Sequence, residues 1–334
     1  MAQGKDFYIP FQDGSGRIHG ICWEPEETPW AVIQVAHGMI EHIGRYEEFA
    51  QAMNRAGIAV IGHDHPGHGR TAKPGELGEF AEKNGVRRVN GAMAQVARFA
   101  KHKFQGIPHI LLGHSMGSFF GRRFITHYGE WLDGAIFMGT GSQPEPLLWL
   151  GGTVVAAAAW LEGRNGRNER LHQLVLGSYN RYFEKGKTEH QWLSRVTEED
   201  EKYEADPYCQ FLFTDGAFVD FFQVMLDLKR KRGFDGIPKN LPILLISGEE
   251  DPVGEGGRGV RRAMEDLQET GCTNVAMQLY PGARHELFHE INREEVFGDI
   301  VDWVSKLEVI LITYLMKNNI QMKKQSLQFI CFFL

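Results

Sequence analysis

The chain has 334 residues, 43% of them apolar, and a formal net charge of −7. That length holds one large α/β domain with an insertion or two ordinary domains, and the apolar share suffices for a proper core. The mild acidity, broken only by the tight basic run Lys229-Arg230-Lys231-Arg232, excludes a nucleic-acid groove, which needs a concentrated basic face.

The N-terminal stretch "DFYIPFQDGSGRIHGICWEP" predicts two strands around a Gly-rich turn. "AVIQVAHG" is a buried strand that ends in a loop, and "RYEEFAQAMNRAG" has helical spacing closed by Gly57. "IAVIGHDHPGHG" is a strand running into a Gly/His loop, followed by the helix "VRRVNGAMAQVARFAKHKF". "HILLGHS" is a strand, "MGSFFGRRFITHYG" the helix after it, and "DGAIFMGTG" another strand. This alternation predicts a mostly parallel central sheet with helices on both faces. From Ser142 to Asn240 no buried strand is expected; four helical stretches dense in aromatics form an insertion. The rhythm resumes with the strand "LPILLISGEEDP", the helix "GVRRAMEDLQETG", the strand "NVAMQLYPGARHE" and the helix "EEVFGDIVDWVSKLE". The expected organisation is therefore a core of residues 1–141 and 241–308, a helical cap of 142–240, and an atypical, poorly ordered tail of 309–334. In that tail Val309–Met316 and Phe329–Leu334 are short apolar bursts, well below the about 20 continuous apolar residues of a membrane span. The four scattered cysteines include no C-x-x-C pair, so neither a disulfide framework nor a zinc site is expected. The first residues lack the basic and apolar regions of a signal peptide, and a reducing cytoplasm is the expected location.

Chemistry concentrates at "GHSMG", Gly113 to Gly117. A serine between two glycines, after a strand and before a helix, marks a tight strained turn that lifts the hydroxyl above the sheet edge. Ser115 then lies at a helix N-terminus, where free N–H groups favour developing negative charge. A serine hydroxyl needs a base, and the base an orienting acid, here in the chain order Ser, acid, His. "ISGEEDPVG" offers Asp251 before Pro252, with Glu249 and Glu250 as alternatives; "YPGARHELFHE" offers His285, with His289 as the alternative. Two backbone donors are needed for the oxyanion: the N–H of Met116, after the nucleophile, and that of Met39 in the His37-Gly38-Met39 loop, where Gly38 permits close approach. "GHDHPGHG" lacks a metal-ligand spacing and reads as a hydrogen-bonded loop under the site. "GEGGRG" has no strand leading into a G-x-G-x-x-G and reads as a helix entry. No metal and no cofactor are expected.

Together "HGMIEHIGRYEEFA", "GHDHPGHGRT", "GHSMGS", "SGEEDPVG" and "ARHELFHE" resemble the α/β-hydrolase-fold serine hydrolases, more narrowly the monoacylglycerol lipase and lysophospholipase-like group. The resemblance covers about residues 6 to 307 and leaves the tail outside the family pattern. It implies a Ser115, Asp251 and His285 triad, Met39 and Met116 as oxyanion donors, and a cap over an acyl pocket. The expected activity is hydrolysis of a lipid ester, a monoacylglycerol or lysophospholipid, with transient membrane-surface contact through the cap; oligomeric state is not readable. Two rival readings stand beside it. One is a prolyl-aminopeptidase-type peptidase using acids of the Glu198-Glu199-Asp200-Glu201 run to hold a substrate amine. The other is a non-catalytic ligand-binding protein on the same fold.

Overall fold

A computed structural model describes residues 3–183, 188–230 and 236–317. In chain order the elements of the first part are β1 (Lys5–Pro10), β2 (Arg17–Trp23), β3 (Ala31–Ala36), α1 (Glu47–Arg55), β4 (Ile58–His63), α2 (Gly85–Lys103), β5 (His109–His114), α3 (Met116–Tyr128) and β6 (Gly134–Met138). Four helices follow, with no strand between them among the described residues: α4 (Glu145–Glu162), α5 (Glu169–Val175), α6 (Thr197–Ala205) and α7 (Asp215–Asp227). The chain then returns with β7 (Ile243–Gly248), α8 (Arg258–Glu269), β8 (Val275–Tyr280) and α9 (Arg293–Lys317).

The strands form one sheet in the order β1-β2-β4-β3-β5-β6-β7-β8. From β4 to β8 every neighbouring pair is parallel, and the hairpin β1-β2 extends the β4 edge antiparallel. Strands covered on both faces read as continuous apolar runs, and alternation of side chains deals them to the two sides. Leu111, Phe137 and Leu245 join α2, α3 and α8 in one core, while Ile110, Leu112, Ile136 and Ile246 meet α1 and α9 in the other. The chain leaves β3 toward β4 on one side and returns to β5 on the other. That crossing opens a crevice at the carboxyl ends of these strands, the place where open α/β sheets hold ligands.

The helices α4 to α7 stand over this end, with α4 packed on α7. Gly151 makes that approach possible, since a side chain there would run into the Phe222 ring. The last helix is continuous to Lys317, past Glu308 where the sequence reading ends it. The run Val309–Met316 contains neither glycine nor proline to stop it. The rest of the expected tail, residues 318–334, lies outside the described residues.

Candidate active site

Ser115 follows β5 directly and caps α3 with φ 49° and ψ −121°, a region that side chains avoid. Its N–H donates to the Met138 carbonyl at 2.9 Å, and its carbonyl accepts from the Ser118 N–H at 2.8 Å. The flanking glycines are sterically required. A Cβ on Gly117 would enter the carbonyls of Ala36 and His37, and one on Gly113 would press within 2.8 Å of the Ser118 Cα. The turn is this tight because α3 starts against β3. Ser115 alone in residues 111–120 escapes full burial, so its side chain reaches the space above the sheet.

The next two strand ends supply acid and imidazole. Gly248, at the end of β7, lies so near the Ala283 and Arg284 carbonyls that only glycine fits. The Glu250 N–H donates to the Ala283 carbonyl at 2.9 Å. This contact sets the Asp251 turn beside the His285 loop, and His285 Nδ1 lies 3.0 Å from both oxygens of Asp251. Asp251 is wholly buried. It also accepts from the Val253 N–H at 2.9 Å and the Ser247 hydroxyl at 3.1 Å. Burial alone would raise its pKa, but the imidazole and these two donors outweigh burial and hold the carboxyl below the usual range. The carboxylate fixes the proton on Nδ1 and leaves Nε2 as an acceptor. Glu249 and Glu250 are exposed, and His289 Nδ1 is bound to Glu286 at 2.9 Å. Only Asp251 and His285, among the candidates, form a buried pair.

Gly38 and Met39 come up against the serine from the end of β3. A Cβ on Gly38 would lie 3.2 Å from the Ser115 Cβ. The Gly38 N–H is committed to Glu41, leaving the Met39 N–H as the donor offered by this loop. The Met39 N–H shares a peptide plane with the Gly38 carbonyl, which accepts from His37 Nδ1 at 2.8 Å. His37 Nε2 in turn accepts from the His65 N–H at 3.0 Å. The Gly/His loop is thus a brace under the His37-Gly38-Met39 loop, the HG loop. Its own anchor is Asp64, which accepts from His19 Nδ1 at 2.7 Å, the Ile43 N–H at 2.9 Å and the Arg70 N–H at 2.8 Å.

Five charged or titratable groups that the sequence reading left without a role join these loops from below. Glu41 accepts from His114 Nδ1 at 2.9 Å and from the Tyr46 hydroxyl at 3.0 Å, and meets Arg45 at 3.3 Å. Arg45 forks onto Glu286 at 2.7 and 2.8 Å. His114 immediately precedes Ser115, and Glu286 immediately follows His285. A single buried network therefore ties the HG loop, the serine turn and the histidine loop. Burial opposes the charge on His114, but the Glu41 carboxylate overrides it and raises the imidazole pKa. For Glu286, Arg45 and His289 overcome burial and push the pKa down. The only sequence signal for this network was the E and R-Y of "HGMIEHIGRY", whose partner Glu286 is remote.

These loops floor a cavity of 1320 Å³ lined by Met39, Ser115, Met116 and His285, with Phe119, Leu148, Trp192, Phe221 and Met225 above. Glu198 to Glu201 do not line it, and two of its carboxylates, Glu41 and Glu286, are engaged by Arg45. At its rim His42, Asp206 and Cys209 bring ligand-type atoms within 4.8 Å of one another. The trio fits a hydrogen-bonded contact better than a metal. His42 Nδ1 accepts from the Gly44 N–H at 3.2 Å, so Nε2 carries the proton and donates to Asp206 at 2.8 Å. Burial pushes the Cys209 thiol up, away from thiolate.

Comparison with known proteins matches residues 27–292 to the Hydrolase_4 family, described as serine aminopeptidase, S33. The chain is 28% identical to the monoglyceride lipase homolog of Monkeypox virus, over 84% of this chain and 92% of that one. It is 28% identical to the monoglyceride lipase of Homo sapiens, over 89% and 92%. A thermostable carboxyl esterase from Bacillus coagulans, solved in complex with glycerol, superposes with a TM-score of 0.84 at 26% identity, covering 92% of this chain and 99% of that one.

Proposed function

Because the chain belongs to the serine aminopeptidase, S33 family, an α/β-hydrolase fold, we propose that it hydrolyses carboxylic esters of lipid-like substrates, monoacylglycerols or lysophospholipids, through an acyl-enzyme on Ser115. The observation that carries this reading is that a strained Ser115 and the His285 of a buried His285–Asp251 couple line one cavity.

In the proposed cycle the substrate carbonyl sits over Ser115. Its oxygen points at the Met39 and Met116 N–H groups. His285 Nε2 takes the hydroxyl proton as Oγ attacks, and Asp251, ionised and fully buried, stabilises the imidazolium. The tetrahedral oxyanion is held by the two N–H groups and the start of α3. His285 then returns the proton to the leaving alcohol oxygen. Water, deprotonated by the same nitrogen, releases the acid and restores the serine. The segment 142–240 acts as the cap, and its apolar lining suits an acyl chain. The relatives named as monoglyceride lipases support the monoacylglycerol part of this choice. Arg45 engages Glu41 and Glu286, while Glu169 and Glu189 also line the cavity, so the aminopeptidase alternative, which needs a carboxylate for a substrate amine, is decided by the substrate panel below.

The cap also offers a lipid-facing surface. On α4 the side chains of Leu147, Leu150, Trp160 and Leu161 are exposed, and transient contact with a membrane surface is part of the proposal. Among the described residues no helix is long and apolar enough to cross a membrane. Cys22, Cys209 and Cys272 are free thiols, in keeping with a cytoplasmic setting. A fluorophosphonate probe is expected to label the protein and to leave Ser115→Ala unlabelled; labelling of that variant would remove the nucleophile. A panel of monoacylglycerols, lysophospholipids and aminoacyl nitroanilides then separates the head groups and the peptide alternative.

A further inference from the structure

A short run of the 142–240 segment, residues 191–195, is laid along the loop that carries His285. The His285 N–H donates to the Trp192 carbonyl at 3.4 Å, and the Glu286 N–H to the Leu193 carbonyl at 2.7 Å. Arg284 Nη1 reaches the Gln191 and Ser194 carbonyls at 2.6 and 3.0 Å. The Ser194 hydroxyl donates to the His289 carbonyl at 2.7 Å. Glu290, with no exposed surface, gathers both chains: it accepts from the Arg284 N–H at 2.8 Å and the Ile291 N–H at 3.1 Å on one side. On the other it accepts from the Arg195 N–H at 3.3 Å and Nε at 2.7 Å. Arg195 also donates to the Asn292 side chain at 2.8 Å. The Trp192 ring stands 4.9 Å from the His285 imidazole.

Two consecutive N–H groups, those of the imidazole-bearing residue and its successor, thus end on carbonyls of this strap. Asp251 holds one nitrogen of the ring, but the backbone that aims the ring is held by the strap. A buried carboxylate with its partly exposed guanidinium partner locks the two together, and removal of the guanidinium would leave the buried carboxylate uncompensated. We propose that residues 191–195 position His285, with Arg195 and Glu290 as positioning residues that act through the loop rather than on the substrate. The proposal rests on the reading of His285 as the base.

The test uses the full-length protein and a soluble short-chain p-nitrophenyl ester, which needs little of the acyl pocket. Arg195→Met and Glu290→Gln are expected to lower kcat and the fluorophosphonate labelling rate by about 10- to 100-fold with KM nearly unchanged. Arg195→Lys, which keeps a charge for Glu290, is expected to restore most of the loss. Values of kcat for both disruptive variants within about twofold of the parent would overturn the proposal, as would an equal loss in Arg195→Lys. Should the disruptive variants not fold, Ser194→Ala, which removes the hydroxyl's bond to the His289 carbonyl and the one it accepts from the Val196 N–H, carries the test: a fall in kcat of about threefold at constant KM supports the strap, and an unchanged kcat overturns it. Ser115→Ala and His285→Ala are measured alongside. Turnover surviving in those two sinks the triad; turnover lost in them but kept in the strap variants sinks only the strap.

Discussion

Ser115 carries its backbone strain through its side chain, because only a Cβ makes φ 49° costly. Strain of this kind is worth about 1–3 kcal/mol, and a glycine in the unfolded chain returns about 0.5–1 kcal/mol of entropy. Ser115→Gly should therefore be inactive yet more stable than the parent by about 1 kcal/mol. Urea denaturation reads the difference, and a lower midpoint would show that the turn is not held against its preference. Gly117→Ala should do the opposite. Its methyl group meets two backbone carbonyls that cannot swing aside, so both stability and probe labelling are expected to fall. At this scale the sequence was most informative. Two glycines, a serine and their place between strand and helix are local facts, and so is the order of Asp251 and His285 at later strand ends. Glu41 and His114 were present in the same motifs, but nothing local says that their side chains touch.

Among the elements, α4 is unusual in showing apolar side chains outward while it packs inward on α7. Trp160 is 83% exposed and Leu161 73%. A helix with that surface gains by meeting lipid, at roughly 1.5–3 kcal/mol for a large side chain fully buried. Replacing both by serine should weaken binding to lipid vesicles by at least about tenfold and leave hydrolysis of a soluble ester intact. A co-sedimentation assay decides it: equal binding of parent and variant would free α4 from any part in docking. The helices α4 to α7 fall within stretches that spacing and the lack of strand patterns mark as helical, but the stretch expected to be helical from Glu189 is turns and bends up to Val196, where α6 begins at Thr197. The strap at 191–195 could not, because an irregular segment of turns held by partners 90 or more residues away has neither period nor signature residue.

Across the whole molecule, buried histidines govern the response to acid. Burial, reinforced by neighbouring imidazoles, holds His37 and His65 well below their ordinary pKa. Burial also brings His63 and His68 to about 4 and His109 to about 3. The unfolded chain takes up these protons below about pH 6.5, while in the folded chain His63, His68 and His109 refuse them down to about 4, 4 and 3 and His37 and His65 resist them likewise. Stability is thus complete above that pH and declines as the medium is acidified, by about 1.4 kcal/mol per pH unit for each such imidazole. His19 and His114, raised by Asp64 and Glu41 against burial, work the other way, but they are fewer. Urea midpoints at about pH 7 and about pH 5 should differ clearly in favour of the higher pH; equal midpoints would mean that these rings are charged in the fold. The parallel sheet and its order of elements followed from the alternation of strand and helix. The network beneath the site did not, since it closes between Arg45 and Glu286, 241 positions apart.

That closure has a bearing on how the protein is born. A ribosome finishes the serine turn and the HG loop long before it reaches Asp251, and the imidazole comes later still. Until then a nascent chain displays a hydroxyl with no base to activate it and an Arg45 lacking its main counter-ion. With Ser115, Asp251 and His285 in their proposed roles, hydrolysis waits for the loop after β8, which brings the last of the three.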